Sequence, residues 1–157
     1  MKIKIICIGK TQKSFLIEGE KEYLKRLSHY VQVEKIEIPD IKNAKKMSEQ
    51  QIMEEEGKLI LSKVSPGGLL VLLDEQGKER SSVGFSKWIQ ERMNRGGKHI
   101  TFVIGGPYGF SQEVYQAANE KVSLSQMTFS HQMIRMFFCE QLYRAFTILR
   151  NEPYHHQ

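Results

Sequence analysis

Two short apolar runs, Leu69–Leu73 (LLVLL) and Ile100–Ile104 (ITFVI), limit the folds open to this 157-residue chain more than any other feature. Neither alternates with polar residues, so each reads as a strand covered on both faces. Between them, residues 83–94 carry Phe85, Trp88, Ile89 and Met93 at helical spacing. A buried strand, a helix and a second buried strand make a parallel crossover unit, and a sheet that helices cover on both sides.

The rest of the chain extends that pattern. Met1–Ile8 is isoleucine-rich and reads as a strand ended by Gly9; Phe15–Tyr30 has helical spacing through Leu16, Tyr23, Leu24 and Leu27. Val31–Ile38 (VQVEKIEI) alternates strictly, as a half-buried strand does, and Pro39 stops it. Lys42–Lys46 is a basic loop. Ser48 with Gln51 forms a capping-box pattern at the head of a helix running to about Lys63. Pro66-Gly67-Gly68 and Asn94–Lys98 are turns. Ser111 caps a short helix to about Asn119, Val122–Leu124 is a brief strand, and Ser130 to Arg150 is one long helix. Strands alternating with helices predict a single α/β domain, residues 1–157, built on a mostly parallel sheet flanked by helices.

Composition excludes several classes. Hydrophobic residues make up 40% of the chain and charged residues 26%, a globular mix. Twenty-three Lys and Arg against 18 Asp and Glu give a formal charge of +5, which permits a polyanionic partner without demanding one. Cys7 and Cys139 each sit in an apolar run and read as reduced core thiols. No clustered Cys/His pattern is present, so no metal is expected. The lysines of MKIKIICIGK break the uninterrupted apolar core that a signal peptide needs, and no run is long enough to span a membrane. A cytoplasmic protein is expected.

In an open α/β sheet, ligands bind beyond the carboxyl ends of the strands. Three segments leave such ends: Leu73–Lys78, the glycine loop Gly105-Gly106-Pro107-Tyr108-Gly109, and SLSQMTFSHQMIR at 123–135. The glycine loop is not the dinucleotide fingerprint, because Ile104 stands where its first glycine belongs. The only GK[ST] triplet, Gly9-Lys10-Thr11, has Lys4 where a phosphate loop needs glycine. The glycine loop is either a tight turn or a place where a ligand approaches backbone. SLSQMTF offers hydroxyls and unladdered backbone groups that suit a flat heteroaromatic such as adenine, with Met127 and Leu124 on its faces; it could equally be a serine-rich helix cap. His131 is a candidate base, or a structural histidine. The last helix carries an apolar stripe through Met133, Phe137, Phe138, Leu142, Phe146 and Leu149, wide enough for a buried helix or a homodimer interface. The tail NEPYHHQ is a frayed end or a base-stacking element.

LLDEQGKERSS, FVIGGPYGFS, SLSQMTFSHQMIRMFFCEQLYRAF and EPYHH together resemble the RlmH family, SPOUT-class methyltransferases acting on a pseudouridine of bacterial large-subunit ribosomal RNA. The resemblance runs nearly the full chain and is strongest from Leu72 onward. It implies a C-terminal trefoil knot, one of the rare exceptions to unknotted chains. It implies S-adenosylmethionine as cofactor, at Leu73, Gly105 and Leu124, Ser125, Gln126, Met127, Thr128 and Phe129, with Gly106 and Gly109 shaping the pocket. It implies a homodimer that makes N3-methylpseudouridine in 23S ribosomal RNA on assembled ribosomes; the modest net charge of +5 separately predicts weak, salt-sensitive binding to naked RNA and little activity on it. Catalytic candidates are Arg135, to stabilise charge or hold a phosphate, His131, and Tyr154 and His155 of the tail. The sequence departs from the family at Ser130, where a proline is expected, and at His156-Gln157, where a lysine is. The alternatives are a non-catalytic RNA-binding or ribosome-associated paralogue and a methyltransferase of the same class acting on another RNA.

Overall fold

The computed structural model describes residues 1–156. Five strands and five α-helices follow one another as β1 (Lys2–Ile8), α1 (Ser14–Leu27), β2 (Gln32–Ile38), α2 (Glu49–Lys63), β3 (Leu69–Glu79), α3 (Ser82–Asn94), β4 (His99–Ile104), α4 (Gln112–Ala117), β5 (Glu120–Ser123) and α5 (Met133–Leu149). All strand pairs are parallel, in the order β2-β1-β4-β3-β5. The two apolar runs are therefore interior strands, as their continuous hydrophobicity requires, and the alternating β2 is an edge.

The two-residue period of the strands divides the core. Ile3, Ile5, Cys7, Val71 and Phe102 face a layer formed by α1, α3 and α5, with Leu27, Phe85, Trp88, Phe138, Leu142 and Phe146 against them. Ile6, Ile8, Leu70, Leu72 and Val103 face the other layer, meeting Ile60 of α2 and Val114 of α4. Ring pairs tie the first layer together, among them Phe102 on Phe138 at 4.8 Å between centroids. Cys7 and Cys139 are free and buried in this core. Burial pushes the Cys7 thiol up to about 11, which keeps it protonated and unreactive.

Several boundaries differ from the sequence reading. The predicted strand Leu69–Leu73 continues to Glu79. Val122 of β5 is opposite both Leu73 and Lys78, so residues 74–77 loop out between them. Gly77 makes this possible: a Cβ there would lie 2.6 Å from backbone atoms of Val122. The final helix begins at Met133, not Ser130. Ser130 nevertheless receives the Met133 N–H on its hydroxyl and the Ile134 N–H on its carbonyl, as a cap would. The basic loop contains a single 3₁₀ turn, Ala44–Lys46, entered through Asn43 at φ 61°. The capping box at Ser48 and Gln51 is fully formed.

The path through the last third of the chain positions the site. β5 follows β4 in sequence but lies on the far side of β3. Helix α4 carries the chain over β3 on the α2 face, and α5 returns on the opposite face between α1 and α3. The segment 124–132 that joins β5 to α5 must therefore pass the carboxyl ends of β3 and β4.

Candidate cofactor cleft

The three loops singled out in the sequence meet in one cleft of about 540 Å³. Leu73 to Gln76 form one wall, the loop Gly105–Phe110 the second, and Val122 to Ser125 with Met127 to His131 the third. Leu73, Gly105, Gly106, Gly109, Leu124, Ser125, Met127, Thr128, Phe129 and His131 all line it. Gln126 is exposed but outside the lining.

Each wall has a local reason for its shape. Gly109 has φ +83°, in the left-handed region, and its N–H returns to the Gly106 carbonyl at 3.2 Å, closing the glycine loop into a turn. A Cβ on Gly105 would lie 3.0 Å from the Phe110 ring, so this position admits no side chain without moving the ring. Across the cleft, the Ser123 hydroxyl donates to the Ser125 carbonyl at 2.9 Å, and the Ser125 hydroxyl receives the Met127 N–H at 2.9 Å. Thr128 donates to Glu75 at 2.9 Å, joining the third wall to the first. Tyr115 of α4 donates its hydroxyl to Asp74, and burial followed by that contact pushes the phenol up to about 12. Among the described residues, no acceptor takes the backbone N–H of Gln126, Thr128 or Phe129. Met127 is 75% exposed beside them. The cleft thus combines free backbone donors, small hydroxyls, apolar surface and two carboxylates at its rim.

His131 stands at the inner edge. Burial lowers its imidazole pKa, the neighbouring Arg135 charge lowers it further, and Asp40 opposes both. It is therefore a neutral imidazole at physiological pH.

The other catalytic candidates do not join it. Arg135 is fully buried beneath the cleft. Its guanidinium donates to the carbonyls of His131 at 3.1 Å, Gly9 at 2.9 Å and Ile8 at 2.5 Å, and to the Thr11 hydroxyl at 3.1 Å. The expectation that Arg135 holds a phosphate is corrected by this cage: its donors point inward, at the chain's own carbonyls. Tyr154 and His155 lie at the opposite end of α5. Tyr154 donates to Glu140 at 2.9 Å and His155 meets Arg144 at 3.0 Å. Neither touches the cleft within one chain.

Sequence reasoning missed Tyr115 and the buried Glu56. Glu56 lies under Gly106, whose Cβ would come within 3.3 Å of its carboxylate, and its Oε1 has no hydrogen-bond partner. Burial and then Asp40 push its carboxyl up to about 7. In the sequence it is one of three consecutive glutamates on an exposed-looking helix, with nothing to set it apart.

A parallel α/β domain whose C-terminal segment wraps a cleft at the strand ends is the architecture of a SPOUT enzyme. The chain belongs to the SPOUT methyltransferase family: a family model described as "Predicted SPOUT methyltransferase" matches residues 1–155. Its relatives there include proteins named ribosomal RNA large subunit methyltransferase H. That of Flavobacterium johnsoniae is 61% identical and that of Parabacteroides distasonis 57%, each over 157 residues covering all of both chains. Among solved structures, a probable methylase family protein from Haemophilus influenzae matches 99% of this chain and 70% of its own at TM-score 0.54 with 13% identity. A putative methylase family protein from Neisseria gonorrhoeae matches equally well, over 85% of its own length. Those two likenesses concern the fold alone.

Proposed function

We propose that this protein is an S-adenosylmethionine-dependent methyltransferase of 23S ribosomal RNA, acting on N3 of a pseudouridine in the assembled ribosome. The observation that carries the reading is the cleft itself: three loops meet at the carboxyl ends of β3, β4 and β5, and the backbone N–H groups of Thr128 and Phe129 in its lining have no acceptor among the described residues. The full-length similarity to proteins named for large-subunit ribosomal RNA methylation supports the substrate. The path of the chain across β3 and back is consistent with the trefoil knot expected of the family.

The residues fit the cofactor. The free N–H groups of the 126–129 segment suit the edge of adenine, and Leu73, Leu124 and Ile134 supply apolar surface for its faces. Asp74 and Glu75 at the rim favour a cationic ligand. When bound, S-adenosylmethionine supplies a methyl group already activated on a sulfonium. The protein then has to align an acceptor nitrogen and remove its proton. His131, neutral and in the cleft wall, is the acceptor for that proton. Arg135 acts through it, fixing the His131 carbonyl and depressing the imidazole. Tyr154 and His155 reach an acceptor base from a second copy of the chain, in a homodimer built partly on α5.

Transfer of labelled methyl to large ribosomal subunits lacking the modification tests this. Wild-type protein is expected to label them, and naked RNA far less. Gly105→Val, which drives a side chain into the Phe110 ring, should lose cofactor binding and labelling together. His131→Asn should keep cofactor affinity and lose roughly 10²–10⁴-fold in rate. Labelling that survives Gly105→Val, or none with wild type, would sink the reading.

A further inference from the structure

The cleft accounts for the ends of β3, β4 and β5 but leaves the neighbouring ends of β1 and β2 unused. Those two strands are parallel and in register up to Ile8 opposite Ile38, so the loops that follow start about 4.8 Å apart. The Gly9 N–H donates to the Ile38 carbonyl at 2.6 Å and binds the two loops at their root. Between them the loops carry Lys10, Lys13, Lys42, Lys45 and Lys46, all exposed. Among the described residues none of the five makes an ion pair. The one acid in either loop, Asp40, lies against Gly9, where a Cβ would meet its Oδ1 at 2.8 Å.

Two further observations give this patch a direction and a partner. First, it is fastened to the cleft. The Gln132 side chain receives the Gln12 N–H at 2.9 Å and donates to the Lys10 carbonyl at 3.2 Å, and the preceding residue, His131, is cleft wall. Second, Phe15 at the head of α1 is 61% exposed, although the helix has a buried face at Leu16 and Leu27 to receive an aromatic. Unpaired cations beside an exposed ring are the combination that grips a single-stranded nucleic acid: phosphates on the charges, an unstacked base on the ring.

We propose that Lys10, Lys13, Lys42, Lys45 and Lys46, with Phe15, form the surface that holds the ribose-phosphate backbone of the RNA substrate and one splayed base beside the cleft. The proposal rests on the reading of the chain as an RNA methyltransferase. It adds a docking surface outside the cofactor site and the tail.

The test uses the full chain with three substitution sets: Lys42→Gln/Lys45→Gln/Lys46→Gln, the same three positions changed to Arg, and Phe15→Ala. Binding to unmethylated large ribosomal subunits is followed by cosedimentation across a salt series, beside cofactor binding by calorimetry and the rate of methyl transfer. The glutamine variant should raise the KM for subunits about tenfold and flatten the log–log salt dependence by about two, since each single-strand phosphate contact contributes ~0.7. Cofactor affinity and the rate at saturating subunits should hold. The arginine variant should restore both slope and KM. Phe15→Ala should weaken binding and leave the slope alone. Unchanged KM and slope in the glutamine variant, with wild type methylating normally, would overturn the docking surface and leave the enzyme reading standing. Lysine-dependent binding without methyl transfer would support the surface and sink that reading.

Discussion

Arg135 and Glu56 are the two buried charged side chains nearest the cleft, and they behave oppositely. Arg135 is enclosed by acceptors: three carbonyls and one hydroxyl occupy its fork, and Glu37 lies 3.8 Å away. These charge-assisted hydrogen bonds fix the side chain in one position. Arg135→Met would strand those carbonyls in an apolar interior at about 1–3 kcal/mol per unsatisfied group. A lower urea midpoint with an unchanged slope is the expected result. Glu56 has an oxygen with no partner, and its folded pKa is raised from 4.5 to about 7. A carboxyl harder to ionise when folded contributes stability that is fully present below its unfolded pKa. That contribution is lost as pH rises through the folded value. Thermal stability should therefore fall between pH 4.5 and 7 through this group, and Glu56→Gln should flatten that part of the profile and raise the melting temperature at pH 8. A profile identical to wild type would remove Glu56 as its source.

At the scale of elements, the sheet is held by one close approach and the helices by their ends. Gly77 lets β3 resume its ladder against β5 after the 74–77 loop, and that loop is a wall of the cleft. Gly77→Ala forces a Cβ to 2.6 Å from the Val122 backbone, and relieving such crowding costs about 1–3 kcal/mol. Because the strain falls on the cleft wall, cofactor affinity should drop along with stability. Ser48→Ala removes the side-chain half of the α2 capping box, at about 1 kcal/mol. Its site is on the exposed end of a helix that contributes no residue to the cleft lining, so cofactor affinity should stay near wild type. Calorimetric titration of both variants separates the two effects.

At the scale of the whole molecule, one chain forms the whole cleft proposed for the cofactor but brings only one of the catalytic candidates, His131, to it. His131 is in the cleft, while Tyr154 and His155 are tied to Glu140 and Arg144 at the other end of α5. Phe129 and Met133, at the start of that helix, remain 37% and 39% exposed. In the proposed homodimer, a second copy covers them and brings its own tail toward the cleft. Sedimentation should give twice the mass of one chain, and Met133→Asp should shift the protein toward monomer. A mixture of tail-truncated chains and His131→Asn chains should regain methyl transfer that neither has alone, which a monomeric enzyme would not do.

Element types and the position of the cleft were legible in the sequence because they depend on local pattern. Continuous apolar runs mark interior strands, alternation marks the edge strand β2, Ser48 and Ser111 mark helix starts, and the glycines and hydroxyls at strand ends mark the cleft. Such signals arise from burial periodicity and backbone valence, which neighbours in sequence already determine. What tertiary structure alone decided involves residues far apart along the chain. Strand order placed β5 beyond β3 and turned the end of LLVLL into a looped-out wall. Packing of α5 under β1 converted Arg135 from an expected phosphate ligand into an internal brace across some 126 positions. Burial under Gly106 singled out Glu56 from three adjacent glutamates. Charge and desolvation act through space, so the same side chain is a surface cation or a buried brace according to what the fold sets around it.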